Sequence, residues 1–187
     1  MTISDQKAAA RKQAFAARKL AYGEGLDGAA NAHLQRVLVS LEGADVVAAY
    51  MPIRTEVSPL ATMARLCEQG KTVCVPVIQG EGQALKFARW TPGTVMVDGP
   101  FGASVPEAAD YVVPDVVVTP LVAFDDRGYR LGYGGGFYDR SFEEISAQKP
   151  VIAVGFAYDA QRLDEVPTEA TDHRLDMMVT ETGVRTF

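Results

Sequence analysis

Two patterns of apolar positions alternate along the chain. DQKAAARKQAFAARKL (residues 5–20) is built from strong helix formers and predicts a helix, with Ser4 or Asp5 as its cap. YGEGLDG interrupts it, and NAHLQRVLVSLEG predicts a second helix ending at Gly43. DVVAAYMP (45–52) is apolar throughout and closed by a proline, the pattern of a strand buried on both faces. SPLATMARLCEQG predicts a helix with Pro59 near its first turn and Gly70 at its end, and KTVCVP a short buried strand. From about Ile78 to Pro114, Gly and Pro interrupt everything except a strand at ALKFARW, so this stretch reads as surface loops and short strands. DVVVTP and PVIAVGF are again continuous apolar strands. A helix from Phe137 to Ala147 lies between them, and a last short strand falls at MMVT (177–180).

Short all-apolar strands alternating with helices predict an α/β fold, a mostly parallel sheet with helices on both faces. Ligands of such sheets gather at the carboxyl ends of the strands, in the connecting loops. One of these loops is GYRLGYGGGFYDR (128–140), which places Gly132, Gly134, Gly135 and Gly136 within five positions and flanks them with Arg130 and Phe137-Tyr138-Asp139-Arg140.

Composition narrows the setting. With 187 residues, 48% hydrophobic and 22% charged, the chain is expected to be a single globular domain spanning residues 1–187. A net charge of −6 argues against an extended nucleic-acid surface but leaves room for a local basic site. No apolar run approaches the ~18 residues of a membrane helix, and the first residues do not resemble a secretory signal. Cys67 and Cys74 form no CxxC motif, and Cys74 in TVCV reads as core. The expectation is a cytoplasmic protein, monomeric, with small-molecule partners and neither nucleic acid nor membrane.

The glycine loop suits phosphate. A backbone without Cβ atoms approaches closely and aims N–H groups at oxygens, and a helix starting at Phe137 adds its dipole. The run is neither a Walker A loop, which needs Gly-Lys-Ser/Thr, nor a dinucleotide fingerprint, which needs glycine where Phe137 stands; a flexible turn is the plain alternative. Arg130 offers a fork of donors to phosphate oxygens. Asp139 falls in the first turn of the helix, where a carboxylate either holds magnesium beside those oxygens or simply favours the helix N-terminus. Lys7, Arg11 and Arg18 lie within about 40° of one another on the first helix, a stripe that is either solvated or faces an anion.

Taken together, VVVTPLVAFDD followed by GYRLGYGGGFYDR resembles the most distinctive motif of the 5-formyltetrahydrofolate cyclo-ligase family, the methenyltetrahydrofolate synthetases. Lys7-x-x-x-Arg11, YMPIRTEVSP with Glu56, FGASVPEA, and VGFAYDAQRLDEVPTEATDHRLDMMVT with Pro167, Asp172 and Thr180 resemble further elements of the family in the same order. Thr119 before Pro120 and Thr171 before Asp172 depart from its usual residues. The resemblance implies a sheet of the NagB/RpiA/CoA-transferase type and an ATP- and Mg2+-dependent conversion of 5-formyltetrahydrofolate to 5,10-methenyltetrahydrofolate. It implies ATP binding by Lys7, Arg11, Arg130, Gly132, Tyr133, Gly134, Gly135, Gly136, Phe137 and Tyr138. It implies folate contacts from Met51, Glu56, Phe101 and Tyr138, and metal ligation by Asp139 and Asp172. Other readings are a non-catalytic folate-binding paralogue and an ATP-using enzyme acting on another formylated amine. His173 suggests a serine hydrolase only if a serine stands in a nucleophile elbow, and no GxSxG is present.

Overall fold

A computed structural model describes residues 2–187. The chain begins with helix α1 (Ile3–Tyr22) and helix α2 (Asp27–Ser40), followed by strand β1 (Val46–Ala48), helix α3 (Leu60–Glu68) and strands β2 (Thr72–Val77) and β3 (Lys86–Trp90). Next come β4 (Met96–Asp98), β5 (Ser104–Pro106), β6 (Tyr111–Val112), β7 (Val116–Thr119), β8 (Ala123–Phe124) and β9 (Arg130–Leu131). Helix α4 (Phe137–Ser146), β10 (Ile152–Phe156), β11 (Met177–Thr180) and β12 (Gly183–Thr186) complete it. The main sheet runs β12-β11-β10-β7-β1-β2-β3-β6. Its five central strands, β11 to β2 in that order, are parallel. The edges are closed by antiparallel pairs, β11 with β12 on one side and β2 with β3 and β3 with β6 on the other.

The alternation of side chains sorts the core into two faces. Val47, Val73, Val116, Val118 and Val154 point to one face, where Leu34 and Leu38 of α2 and Met63 and Leu66 of α3 cover them. Ala48, Cys74, Val117, Ala153 and Met178 point to the other, against Phe142 and Ile145 of α4. Helices therefore cover both faces, as the all-apolar strands require. Burial pushes the Cys74 thiol up to about 12, which keeps it an inert core residue.

Several local expectations are corrected. The cap of α1 is Thr2, whose hydroxyl accepts from the Asp5 N–H while the Asp5 carboxylate accepts from the Thr2 N–H; Asp5 is the partner in this capping box. The strand at 45–52 shortens to Val46–Ala48, because the chain leaves the sheet to form the pocket wall. The second helix starts earlier, at Asp27, and ends at Ser40, and Pro59 is the cap residue of α3. The middle of the chain is not all surface. Strand β3 joins the main sheet and buries Phe87, Ala88 and Trp90, since antiparallel pairing lets a short connection return directly to β2. Strand β12 has no counterpart among the expected elements; its alternating half-exposed pattern carries little apolar signal.

Candidate active site

A cleft of about 890 Å³ opens at the carboxyl ends of β1, β2 and β7. Met51, Ile53 and Glu56 after β1, Ile78 after β2 and Pro120 after β7 form its floor and one wall. The glycine loop and the start of α4 form the opposite wall, and Lys7 and Arg11 of α1 close one end.

The loop leaves its backbone N–H groups unpaired. Gly134 (φ 108°) and Gly136 (φ 65°) occupy backbone conformations that side chains disfavour. Among the described residues no N–H of Gly132 to Gly136 donates a hydrogen bond within the chain, while two of the loop's carbonyls are held from outside. The Arg11 Nε donates to the Gly132 carbonyl at 2.8 Å, and the Arg140 Nη2 donates to the Gly135 carbonyl. Helix α4 begins at Gly136 without a side-chain cap, so its first-turn N–H groups are open to an acceptor. Replacing Gly134 by alanine imposes a strained φ of 108° and brings a Cβ to 3.4 Å from the Arg11 guanidinium. The expected result is binding of a phosphate-bearing ligand weakened at least tenfold with a melting temperature within a few degrees of wild type, read by ligand titration and calorimetry.

Lys7, Arg11 and Arg130 line the cleft, each with a partner in the chain, whereas Arg18 is buried and does not line it. Lys7 Nζ lies 2.7 Å from Glu169 and 2.9 Å from Asp172. Burial lowers its pKa and the two carboxylates more than reverse that, so the ammonium is held charged. Arg130 lines the cleft and is engaged within the chain. Its side chain is only 6% exposed, and its fork is occupied by Asp139 Oδ1 at 2.8 Å and the His173 carbonyl at 2.6 Å. It holds the start of α4 against the segment before β11. Asp139 also accepts the His173 N–H through Oδ1, which leaves Oδ2 without a partner among the described residues.

Of the residues the resemblance assigns to the folate, Glu56 and Met51 follow β1 on the facing wall. Glu56 is 5% exposed; it accepts from the Ile53 N–H at 2.9 Å and from the Tyr133 hydroxyl at 3.0 Å. Burial raises its pKa, and those two donors together with Arg18 and Arg54 partly oppose the rise. Tyr133, expected on the nucleotide side, thus directs its hydroxyl to the opposite wall. Phe101 stands at the rim, 75% exposed at φ 58°, with its ring 6.4 Å from that of Phe137. Met51 and Tyr138 line the cleft between them, and burial drives the Tyr138 phenol well above its ordinary range, so it is a neutral donor. The Thr119 hydroxyl is buried without a partner, and Thr171 lines the cleft. His173 packs its ring on Phe142 at 4.6 Å, the contact of a core residue and not of a catalytic base.

Sequence reasoning missed Glu169, Tyr50, Arg54 and Arg140. Tyr50 anchors the wall by donating to the Val57 carbonyl at 2.6 Å. Glu169 could have been found as a second acid three residues before Asp172; Arg140 and Tyr50 had no signal apart from their neighbours.

A mostly parallel α/β sheet with a glycine-rich loop and an uncapped helix at its carboxyl edge puts the chain in the class of α/β proteins whose cleft lies at the strand ends. Comparison places it further: residues 3–181 match the sequence model of the 5-formyltetrahydrofolate cyclo-ligase family. The chain is 38% identical to the 5-formyltetrahydrofolate cyclo-ligase of Haemophilus influenzae over 72% of its length and 75% of the relative's. It is 34% identical to that of Escherichia coli, over 75% and 80% respectively. The solved 5,10-methenyltetrahydrofolate synthetase of Aquifex aeolicus superposes with a TM-score of 0.76 at 30% identity, covering 96% of this chain and 92% of that one. The chain belongs to the 5-formyltetrahydrofolate cyclo-ligase family and is an enzyme of the ligase class. Among its described residues no helix is long and apolar enough to cross a membrane.

Proposed function

We propose that the protein converts 5-formyltetrahydrofolate to 5,10-methenyltetrahydrofolate, consuming ATP and releasing ADP and phosphate. The observation that carries this reading is the two-sided cleft. One wall offers free backbone N–H groups, cations and the neutral Tyr138 phenol, the other offers the buried Glu56 carboxylate, and the Phe101 and Phe137 rings also line the cleft. Phosphoryl transfer needs mostly positioning and charge stabilisation, which is what the first wall supplies. The relatives' names support the substrate.

In this reading the triphosphate lies along Gly132 to Gly136, with Lys7 and the free Nη groups of Arg11 beside it. Arg130 acts by holding Asp139 and the α4 N-terminus in place. Glu56 accepts hydrogen bonds from the pterin or its formyl-bearing nitrogen, Met51 and Phe101 pack on the folate, and Tyr138 lies beside the formyl group. The formyl oxygen attacks the γ-phosphorus and ADP leaves. The formyl carbon, made electrophilic, is attacked by the neighbouring folate nitrogen, which gives up its proton. The C–O bond then breaks, the oxygen departs with phosphate, and the methenyl cation remains.

Magnesium fits this site in a limited way. Among the described residues no group of three or more His, Cys, Asp or Glu side chains could hold a metal ion, so an all-protein cage is absent. A magnesium ion bound largely by phosphate oxygens and water needs only one or two carboxylates. Asp139, with Oδ2 free, would hold it, and Asp172, engaged by Lys7, is the second carboxylate nearby. Bound there, the ion would neutralise charge on the phosphate oxygens.

The test is direct. Purified protein mixed with 5-formyltetrahydrofolate, ATP and magnesium should show the near-ultraviolet absorbance of the methenyl product, and omission of ATP or magnesium should abolish the rise. A folded, ATP-binding protein that gives no rise overturns the proposal.

A further inference from the structure

Among the described residues Arg18 is the most deeply buried cation, 1% exposed, and no carboxylate pairs with it directly. A buried guanidinium without a counter-ion is costly, so its surroundings must compensate. Its Nε donates to the Thr55 hydroxyl at 3.1 Å and its Nη1 to the Tyr133 hydroxyl at 3.0 Å. The Phe15 and Tyr133 rings lie 5.1 and 5.7 Å from the guanidinium carbon. The Tyr133 hydroxyl in turn donates to Glu56 Oε1 at 3.0 Å. The charge therefore reaches its nearest carboxylate through one intervening hydroxyl.

That hydroxyl has a single proton. Because it accepts from Arg18, its own proton is directed to Glu56, and the carboxylate is held as an acceptor with Oε1 and Oε2 each partnered. Three segments distant in sequence, α1, the loop after β1 and the glycine loop, meet in this chain. We propose that Arg18, acting through Tyr133, is a positioning residue that fixes the Glu56 carboxylate at the substrate wall and ties the glycine loop to it. The inference rests on the reading of Glu56 as a substrate contact.

The groups facing Glu56 are Arg18 and Tyr133, Arg54 from its own loop, Tyr50 after β1 and Tyr138 of α4. Burial raises the carboxyl pKa, while the Ile53 N–H, Tyr133, Arg18 and Arg54 lower it. Removing Arg18 or the Tyr133 hydroxyl takes away lowering contributions, so the midpoint must move up. Full-length protein labelled with carboxyl-13C glutamate, with the Glu56 signal assigned by Glu56→Gln, gives that midpoint by nuclear magnetic resonance without any turnover.

Tyr133→Phe and Arg18→Gln are each expected to raise the midpoint by about one pH unit. The acid limb of kcat/KM for 5-formyltetrahydrofolate should move with it. Arg18→Lys, which keeps one charged donor, should recover part of the shift. Should Arg18→Gln fail to fold, Tyr133→Phe, which removes one oxygen from a half-exposed side chain, carries the test. An unchanged Glu56 midpoint in Tyr133→Phe overturns the inference. A shifted midpoint in a protein that does not turn over 5-formyltetrahydrofolate supports the Arg18 linkage and sinks the proposed function instead.

Discussion

Asp139→Asn is expected to lower kcat by about two to three orders of magnitude while the fold survives, the loss typical of removing one charged contact to a phosphoryl-transfer site. The side chain keeps its shape, and its oxygen can still accept from Arg130 and the His173 N–H, so α4 stays anchored. What disappears is the negative charge and the free Oδ2, which the proposed reaction would offer to magnesium. The apparent magnesium requirement should rise in step with the loss of kcat, and the folate Kd should not change. Steady-state rates across a magnesium series, with circular dichroism as the fold control, decide it. A folded variant with wild-type kcat removes Asp139 from the chemistry.

Arg130→Ala is expected to cost both activity and stability, and the contrast with Asp139→Asn is informative. Arg130 is almost wholly enclosed, stacks 5.4 Å over Phe142, and holds Asp139 and the His173 carbonyl together. Truncation leaves a carboxylate and a carbonyl facing a void; for a pair of which Asp139 is the more exposed member, a loss of about 3 kcal/mol is expected. Spread over a chain of this size, that is a melting temperature lower by roughly 6–12 °C. Activity should fall at least a hundredfold, because the α4 N-terminus and Asp139 lose their support. Adding Asp139→Asn to Arg130→Ala should then cost little more activity, since Arg130 acts by placing Asp139. A double variant whose losses multiply in full would show that Arg130 meets the phosphates itself, as the sequence reading had it.

The partners of Arg130, Asp139 and the His173 carbonyl, show where sequence reading stops. GYRLGYGGGFYDR was legible as a glycine loop before a helix because turn patterns are local, and Gly134 and Gly136 do adopt positive φ there. The buried strands were legible for the same reason: a parallel sheet covered on both faces demands continuous apolar runs, and β2, β7, β10 and β11 supply them. Strand β12 and the place of β3 in the main sheet were less legible, because edge strands alternate and depend on their partners.

By itself, the sequence determined the α/β class, the position of the glycine loop before a helix, and the three cations Lys7, Arg11 and Arg18 on one helical stripe. It did so because turn chemistry, helical periodicity and strand burial act over neighbouring residues. Only the tertiary structure decided what each cation faces. It set Lys7 against Glu169 and Asp172, closed Arg130 on Asp139, and buried Arg18 behind the Tyr133 hydroxyl on its way to Glu56. Those partners lie up to 165 residues away along the chain. Charge pairing acts through space at a few ångströms, and nothing in the order of residues encodes that distance until the sheet brings its loops together.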